Sequence, residues 1–199
     1  MKVRIALAAT ALFLASFAQA TVVSLFPSVA TVAAGSQVNV DVVVSGLGVG
    51  QVVGGFDLDI VFDAAVLSAS SVAFGSALGV DGVDQFTNAV LSTGRIDFAA
   101  ISLLAGLDLS ALQSGSFSIA QLRFNALVPG LTDIKFDLLT APGLLFSDEF
   151  GNAMPVAVGS QATVTVTAGG GTVPSPGSLS LVLLSLLSLP ITCSRRRAA

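Results

Sequence analysis

Strict alternation of apolar and polar residues is the feature that most restricts how this chain can fold. In the segment SQVNVDVVVSG, residues 36–46, the alternate valines share one face, and Asn39 and Asp41 share the other. β-Branched and aromatic residues at period two indicate strands that are covered on one side. Further segments of this kind predict additional inward residues: Phe56, Leu58, Ile60, Phe62, Val72, Phe74, Ile96, Phe98, Ala100, Ile134, Phe136, Leu138, Val164 and Val166.

Glycine- and proline-containing turn signals separate these segments, which predicts about nine short strands and an all-β chain. Polar outer faces favour an antiparallel sandwich of two sheets. In residues 116–127 the alternation changes phase between Ile119 and Leu122, which predicts a β-bulge. Residues 103–113 are expected to form at most a turn or two of helix.

The residue types that are missing exclude several functions. The chain has no histidine, tryptophan or tyrosine, and its one cysteine is Cys193. A Ser-His-Asp triad and histidine-bound zinc are therefore excluded. Residues 21–167 contain all twelve acidic side chains but only three basic ones, Arg95, Arg123 and Lys135. A body this acidic is not expected to bind nucleic acid or anionic lipid.

The N-terminal segment has the pattern of a secretory signal peptide. Lys2 and Arg4 precede an apolar stretch of about 13 residues, shorter than the roughly 20 that a spanning helix needs. The stretch ends in a small-x-small motif, in which Ala18 and Ala20 are the residues that a signal peptidase accepts. We expect residues 1–20 to be removed and the chain to be exported.

The C-terminal segment is a second apolar stretch, preceded by a Gly/Pro/Ser linker over residues 168–177. Residues 179–193 would form a helix of about 22 Å, too short for a hydrocarbon core of about 30 Å. Three arginines follow and are expected to stay on the cytoplasmic side: Arg195, Arg196 and Arg197. This arrangement indicates transient or weak insertion into the inner membrane.

The segments SQVNVDVVVSGLG, GGFDLDIVFDAAVLSASSVAFGSALG and GSFSIAQLRFNAL occur in the order seen in cohesin-like domains. The most specific part is the strand and corner around Phe62, Asp63, Val66 and Leu67. The resemblance covers residues 21–167 and implies a nine-stranded jelly-roll sandwich, close to one class of carbohydrate-binding modules. It also implies non-catalytic recognition, of dockerins in cellulosomes and of other partners elsewhere.

The tail, residues 178–199 with the linker before it, is similar to a PEP-CTERM sorting signal. Such signals combine a V-P-x-P motif, a short apolar helix and terminal arginines. The motif falls here on four consecutive residues: Val173, Pro174, Ser175 and Pro176. The resemblance implies processing by an exosortase and release to the envelope, cell surface or extracellular matrix. A GPI signal and a plain C-terminal anchor are the alternatives.

Two carboxylates on one strand, Asp57 and Asp59, point to the same face. Such a pair, about 6–7 Å apart, could serve glycoside hydrolysis. The interpretation we favour is an outward, solvated face that discourages edge-to-edge aggregation.

Two loops are rich in oxygen donors. One contains Asp81 and Asp84, and the other contains three donors that make it the better candidate for calcium: Asp148, Glu149 and Asn152. Turn formation explains both loops without a metal. Phenylalanines adjoin these loops, and we expect them to close the end of the sandwich: Phe86, Phe146 and Phe150.

The sequence as a whole predicts an exported, non-enzymatic module that binds a protein partner. Binding of an extracellular polysaccharide is the alternative, against which the lack of tryptophan and tyrosine counts. An exposed apolar patch on one sheet would favour a protein partner. A groove with amides, carboxylates and phenylalanine would favour a polysaccharide.

Overall fold

The computed structural model describes residues 20–140 and 143–169, which belong to one compact unit. Twelve strands form two packed sheets. In chain order the strands are β1 (Thr21–Pro27), β2 (Thr31–Ala33), β3 (Gln37–Ser45), β4 (Gly55–Val61), β5 (Leu67–Phe74), β6 (Gln85–Ser92), β7 (Arg95–Ser102), β8 (Ser116–Ala126), β9 (Gly130–Phe136), β10 (Leu144–Ser147), β11 (Val156–Val158) and β12 (Ala162–Thr167). A 3-10 turn at Ser76–Leu78 and helix α1 at Gly106–Leu112 complete the described elements.

The first sheet has the order β11-β1-β3-β8-β5, and the second has the order β2-β12-β9-β4-β7-β6. Strand β10 pairs with β4 beyond the point where β9 leaves it. The pairings are antiparallel except for β1 with β11 and β2 with β12, which are parallel. The all-β sandwich is confirmed. The strand count exceeds the expected nine. Strands β2, β10 and β11 have only three or four residues, too few to show an alternating pattern, and the eight residues of β6 lack a clear apolar alternation that would predict it.

The core lies between the sheets and includes the inward residues that the alternation predicts, with Val72 and Phe74 partly buried and packed against it. Phe98 and Phe124 are fully buried, and Phe62 packs edge-on against Phe124 with ring centroids 5.1 Å apart. Burial of each such side chain contributes roughly 1.5–3 kcal/mol. Leu138 is the exception. It is 59% exposed because β9 ends at Phe136 and the chain turns away from the core.

The predicted bulge is present in β8. Val42 pairs with Ala120 and Val43 pairs with Ser118, so Ile119 has no partner residue on β3. Ile119 and Ala120 are consecutive yet both buried, which shows that the strand changes face at this point. The bulge keeps both halves of an eleven-residue strand apolar toward the core.

Helix α1 closes one end of the sandwich, within the segment where the sequence predicts a short helix. Among its residues only Leu109 is buried. The buried Gln113, directly after the helix, accepts a hydrogen bond from the Val53 amide at 2.8 Å. Its side-chain nitrogen donates to the carbonyl oxygens of Val53 at 2.7 Å and Ala77 at 3.2 Å. One side chain thus ties the helix to two loops.

Candidate functional site

The outer face of the second sheet exposes apolar side chains that its neighbours leave uncovered. Adjacent strands β10, β4, β7 and β6 present these side chains side by side, because residues of one face come into register across the sheet. Three of them are between 45% and 55% exposed, and we call them the apolar patch: Phe86, Ile101 and Leu145. A contiguous patch of this kind on a sandwich indicates an interaction surface.

A cavity of about 400 Å³ opens into this patch. Its floor is low because Gly55, between Ile101 on β7 and Ser147 on β10, has no side chain. A Cβ atom at Gly55 would lie 3.2 Å from the carbonyl oxygen of Ala100, so the position has little room for a larger residue. Phe86 and Leu145 are among the walls. The shape suits an apolar side chain that inserts from outside.

One carboxylate, Asp57, borders the same cavity. Asp57 lies in register between Leu145 on β10 and Ala99 on β7, and Asn88 on β6 follows across the sheet. Partial burial raises the pKa of Asp57, and the nearby negative charges of Asp97 and Asp59 raise it further. The folded protein therefore stabilises the ionised form of Asp57 less than water does, and a cation bound beside Asp57 would stabilise that form.

Asp59 corrects the sequence-based interpretation of an outward, solvated carboxylate. Its side chain is fully buried beneath Arg95, whose Nε donates to Oδ1 at 3.0 Å. Arg95 Nη2 lies 2.7 Å from the other oxygen, Oδ2, without good hydrogen-bond geometry. Arg95 also contacts Asp137 at 3.2 Å. Asp59 shares a face with Asp57 as predicted, but the arginine covers it.

The ion pair between Arg95 and Asp59 also rules out the use of Asp57 and Asp59 as a catalytic carboxylate pair for glycoside hydrolysis. Asp59 has no exposed surface and is held by Arg95, so it cannot reach a substrate together with Asp57. The sequence did contain a signal for the ion pair between Arg95 and Asp59, because residues 21–167 offer only three basic residues. A carboxylate in a strongly apolar strand needs one of them if it is buried.

The three phenylalanines near the loops have different environments. Phe146 is 2% exposed and packs against Phe56, so the expectation of a buried plug is confirmed for it. Phe86 and Phe150 are 53% and 81% exposed, and the expectation is wrong for both. Phe86 lies on the outer face of edge strand β6, and Phe150 lies in the turn between β10 and β11. Neither position faces the core.

The residues proposed for calcium form a turn. Asp148 Oδ1 accepts the amides of Phe150 at 2.9 Å and Asn152 at 2.8 Å, and Oδ2 accepts the Asn152 side-chain amide at 2.9 Å. The Asn152 side chain and these amides lower the pKa of Asp148. Glu149 points elsewhere, toward Gly106. The calcium site stays a prediction.

The other acidic loop is also occupied by local contacts. Asp81 accepts a hydrogen bond from the Thr87 hydroxyl at 2.8 Å, and Asp84 accepts the amide of Val80. Within residues 20–140 and 143–169, no three acidic, histidine or cysteine side chains are grouped closely enough to hold a metal ion.

Several predicted residues lie outside the described part of the chain. Ala18 of the signal-peptide motif and the whole sorting signal belong to this group, whereas Ala20 immediately precedes β1. In the part that is described, no helix is long and apolar enough to cross a bilayer.

Comparison with known proteins identifies the fold family. Residues 23–141 match the family model described as Cohesin domain. A search of curated protein sequences finds no match.

Several solved structures are similar. A type II cohesin domain from the cellulosome of Acetivibrio cellulolyticus matches with a TM-score of 0.59 and 18% identity, over 73% of this chain and 95% of that one. A cohesin module from a family 33 glycoside hydrolase of Clostridium perfringens matches at 0.55 and 10%, over 75% and 98%. A type I cohesin–dockerin complex from Clostridium thermocellum matches at 0.56 and 15%, over 73% and 99%.

At these identities the structures show a shared fold, and the family model shows the family, since it matches more than half of the chain. Cohesin domains are non-catalytic modules of protein recognition, and the chain belongs to the cohesin family.

Proposed function

We propose that this chain is an exported recognition module whose apolar patch docks a protein partner of the dockerin type. The observation that carries the proposal is the patch itself, with its cavity and its bordering carboxylate. Interfaces between proteins are typically built around buried apolar anchors with polar groups at the rim. The Clostridium thermocellum structure similar to this chain is a complex with a dockerin.

The chemistry of the face defines what the partner presents. An apolar side chain of the partner fills the cavity between Phe86 and Leu145, and a lysine or arginine beside it pairs with Asp57. The charge of the whole module favours such a partner, because twelve acidic side chains stand against three basic ones in residues 21–167. Association should therefore slow as ionic strength rises.

The test uses a matched pair of variants on the two outer faces. Ile101→Ser removes an apolar side chain from the patch, and Phe26→Ser removes a comparably exposed one (48%) from β1 of the first sheet. Calorimetric titration against a panel of dockerin modules is expected to give at least tenfold weaker binding for Ile101→Ser, about 1.4 kcal/mol, and no change for Phe26→Ser. Equal losses in the two variants would refute docking on the second sheet.

Polysaccharide binding is the second candidate, because the cavity also brings together Phe86, Asn88 and Asp57. A glycan array distinguishes the two functions. If an acidic or neutral glycan binds the wild type, Ile101→Ser abolishes that binding and no dockerin binds, the face is assigned to a polysaccharide. If no glycan on the array binds and a dockerin does, the result supports a protein partner.

We further propose that signal peptidase cleaves after Ala20 and that an exosortase-type enzyme processes the tail after transient membrane insertion. The support is the sequence pattern at both ends, including Val173–Pro176 and Arg195–Arg197. Intact-mass analysis of protein from the producing cells is expected to show a chain that begins at Thr21 and lacks the arginines. A form that retains Arg195–Arg197 would indicate a weak anchor instead.

A further inference from the structure

Strand β6 is a sheet edge whose own residues lack the usual protection against pairing. On the opposite side of the sandwich, the edge strands β2 and β11 have three residues each. Edge strand β5 of the first sheet has a register irregularity between Ala69 and Ser71. Strand β6 has eight residues, QFTNAVLS, with no charge, no proline and continuous register along β7. Short length, bulges, charges and proline are the features that protect edges.

The backbone groups that point outward from β6 can be identified. Gln85 directs its backbone away from β7, since its N–H donates to the Val80 carbonyl at 3.1 Å and its C=O accepts the Gly82 amide at 2.8 Å. Groups on a strand alternate in direction. Thr87, Ala89 and Leu91 therefore direct their N–H and C=O groups to the open side, where the described residues supply no backbone partner.

We propose that a second copy of this chain pairs antiparallel with β6, with Ala89 opposite Ala89 of that copy. This register lets Thr87, Ala89 and Leu91 of both copies form hydrogen-bonded pairs. A register centred on Asn88 would instead require the backbone of Gln85, which the Val80–Gly82 turn already occupies. The symmetric arrangement joins the two second sheets into one continuous sheet.

The side chains along β6 are compatible with this arrangement. The small Ala89 lies on the two-fold axis, Thr87 faces Leu91 of the second copy, and Asn88 faces Val90 of the second copy. Strand β6 itself carries no charge, but Asp81 lies beside it, since the Thr87 hydroxyl donates to Asp81 Oδ1 at 2.8 Å. The main opposing effect is the net negative charge of both modules, so dimerisation should strengthen with salt, in contrast to binding of a cationic partner.

Pairing at β6 also affects the apolar patch, since Phe86 belongs to both the strand and the patch. The dimer places two cavities on the same side of one sheet. A partner with two docking elements would then bind with increased avidity. The dimer itself does not depend on what the cavities bind, so it can be tested without any ligand.

Sedimentation analysis of the full chain in mild detergent tests the proposal over a range of protein concentrations up to about 1 mM. Ala89→Pro removes the central N–H donor, whereas Ala89→Ser keeps both backbone groups and is the matched control. An edge strand tolerates proline where the N–H points outward. We expect the wild type and Ala89→Ser to dimerise with similar affinity, and Ala89→Pro to dimerise at least tenfold more weakly.

The C-terminal tail is identical in these variants, so any association through the tail is the same in all of them. A difference in dimerisation between the variants therefore reports on β6. A wild type that stays monomeric throughout, or an Ala89→Pro variant that folds and dimerises normally, would overturn the proposal. If Ala89→Pro does not fold, Leu91→Pro removes another outward N–H and is expected to weaken the dimer in the same direction.

Disulfide trapping tests the register. In a Cys193→Ser background, Ala89→Cys places two Cα atoms about 5.5 Å apart across a hydrogen-bonded pair, which is within disulfide range. We expect oxidation to give a covalent dimer with Ala89→Cys and much less with Asn88→Cys. A dimer trapped only through Asn88→Cys would contradict the register centred on Ala89.

Discussion

The two outer faces of this sandwich accommodate their polar side chains in different ways. On the first sheet, polar side chains of β3 and β8 bind one another across the strands. Three such contacts cover the face: Gln37 with Asn125 at 3.0 Å, Asp41 with Gln121 at 2.8 Å, and Asn39 with Arg123 at 3.3 Å. On the second sheet, the apolar patch stays exposed, and Arg95 lies over Asp59 and covers it.

This difference shows that alternation alone does not decide how an outer face is used. Both faces come from strands with polar residues at alternate positions, and both carry arginine and aspartate. The first face satisfies its polar groups within the protein and leaves Phe26 as its main exposed apolar side chain on β1. On the second face, Arg95 neutralises the buried Asp59 and Lys135 pairs with Asp133 on β9 at 3.4 Å, while the apolar patch stays exposed.

The largest effect that separates the faces should come from the arginines. Arg95→Ala leaves Asp59 buried without its partner, and we expect a loss of about 3 kcal/mol in the free energy of unfolding. Arg123→Ala removes an exposed side chain with one long contact, and we expect a change within about 0.5 kcal/mol. Urea denaturation of both variants measures the contrast, and similar losses would mean that the two faces do not differ in this way.

A smaller effect concerns the carboxylates. Because the pKa of Asp57 is raised, its ionised form weakens the fold at neutral pH. Asp57→Asn should therefore stabilise the protein at pH 7, by less than about 1 kcal/mol after solvent screening. The gain should disappear as the pH falls through the raised pKa and the wild-type side chain takes up its proton.

Asp41→Asn on the first sheet is the matched control for that variant. Asp41 accepts its hydrogen bond from Gln121, and no second carboxylate lies on that face among the described residues. We expect no stabilisation at pH 7 from this change. Thermal unfolding over a pH series compares the two, and a gain in both variants would point to the overall negative charge rather than to the site around Asp57.

The smallest effect should be the acid response of Asp137. Hydrogen bonds from Thr140 and the Leu139 amide, together with Arg95, lower the pKa of this carboxyl. A lowered pKa contributes stability above the unfolded value, 3.8, which is lost as the pH falls below it. Asp137→Asn should make the unfolding temperature less sensitive to pH below about 4. An unchanged acid profile would contradict this role.

Much of the fold could be predicted because it depends on local patterns. The inward valines of β3, the alternation of β4 and the change of phase in β8 each follow from neighbouring residues along one strand. The strands β2, β10 and β11 could not be predicted, since three or four residues carry no periodic signal and pair only with distant strands. The pattern did not predict β6 either, because Phe86 and Val90 face outward on this strand and its apolar residues do not alternate.

The candidate site was less predictable for a related reason. Asp57 and Asp59 are equivalent in the sequence pattern, yet one borders a cavity and the other is buried under an arginine 36 positions away. The exposure of Phe86 and the burial of Phe146 likewise depend on strand register, which places Phe86 beside Ile101 on the outer face and Phe146 beside Phe56 in the core.

The sequence by itself determined the class of fold, the inward residues of the long strands and the exclusion of histidine-based catalysis, because these depend on composition and on period-two spacing. Only the tertiary structure decided which outer face stays apolar, which carboxylate is neutralised and which edge remains open. Those properties depend on register between strands distant in sequence, where single contacts such as Arg95 with Asp59 determine whether a polar residue meets water or protein.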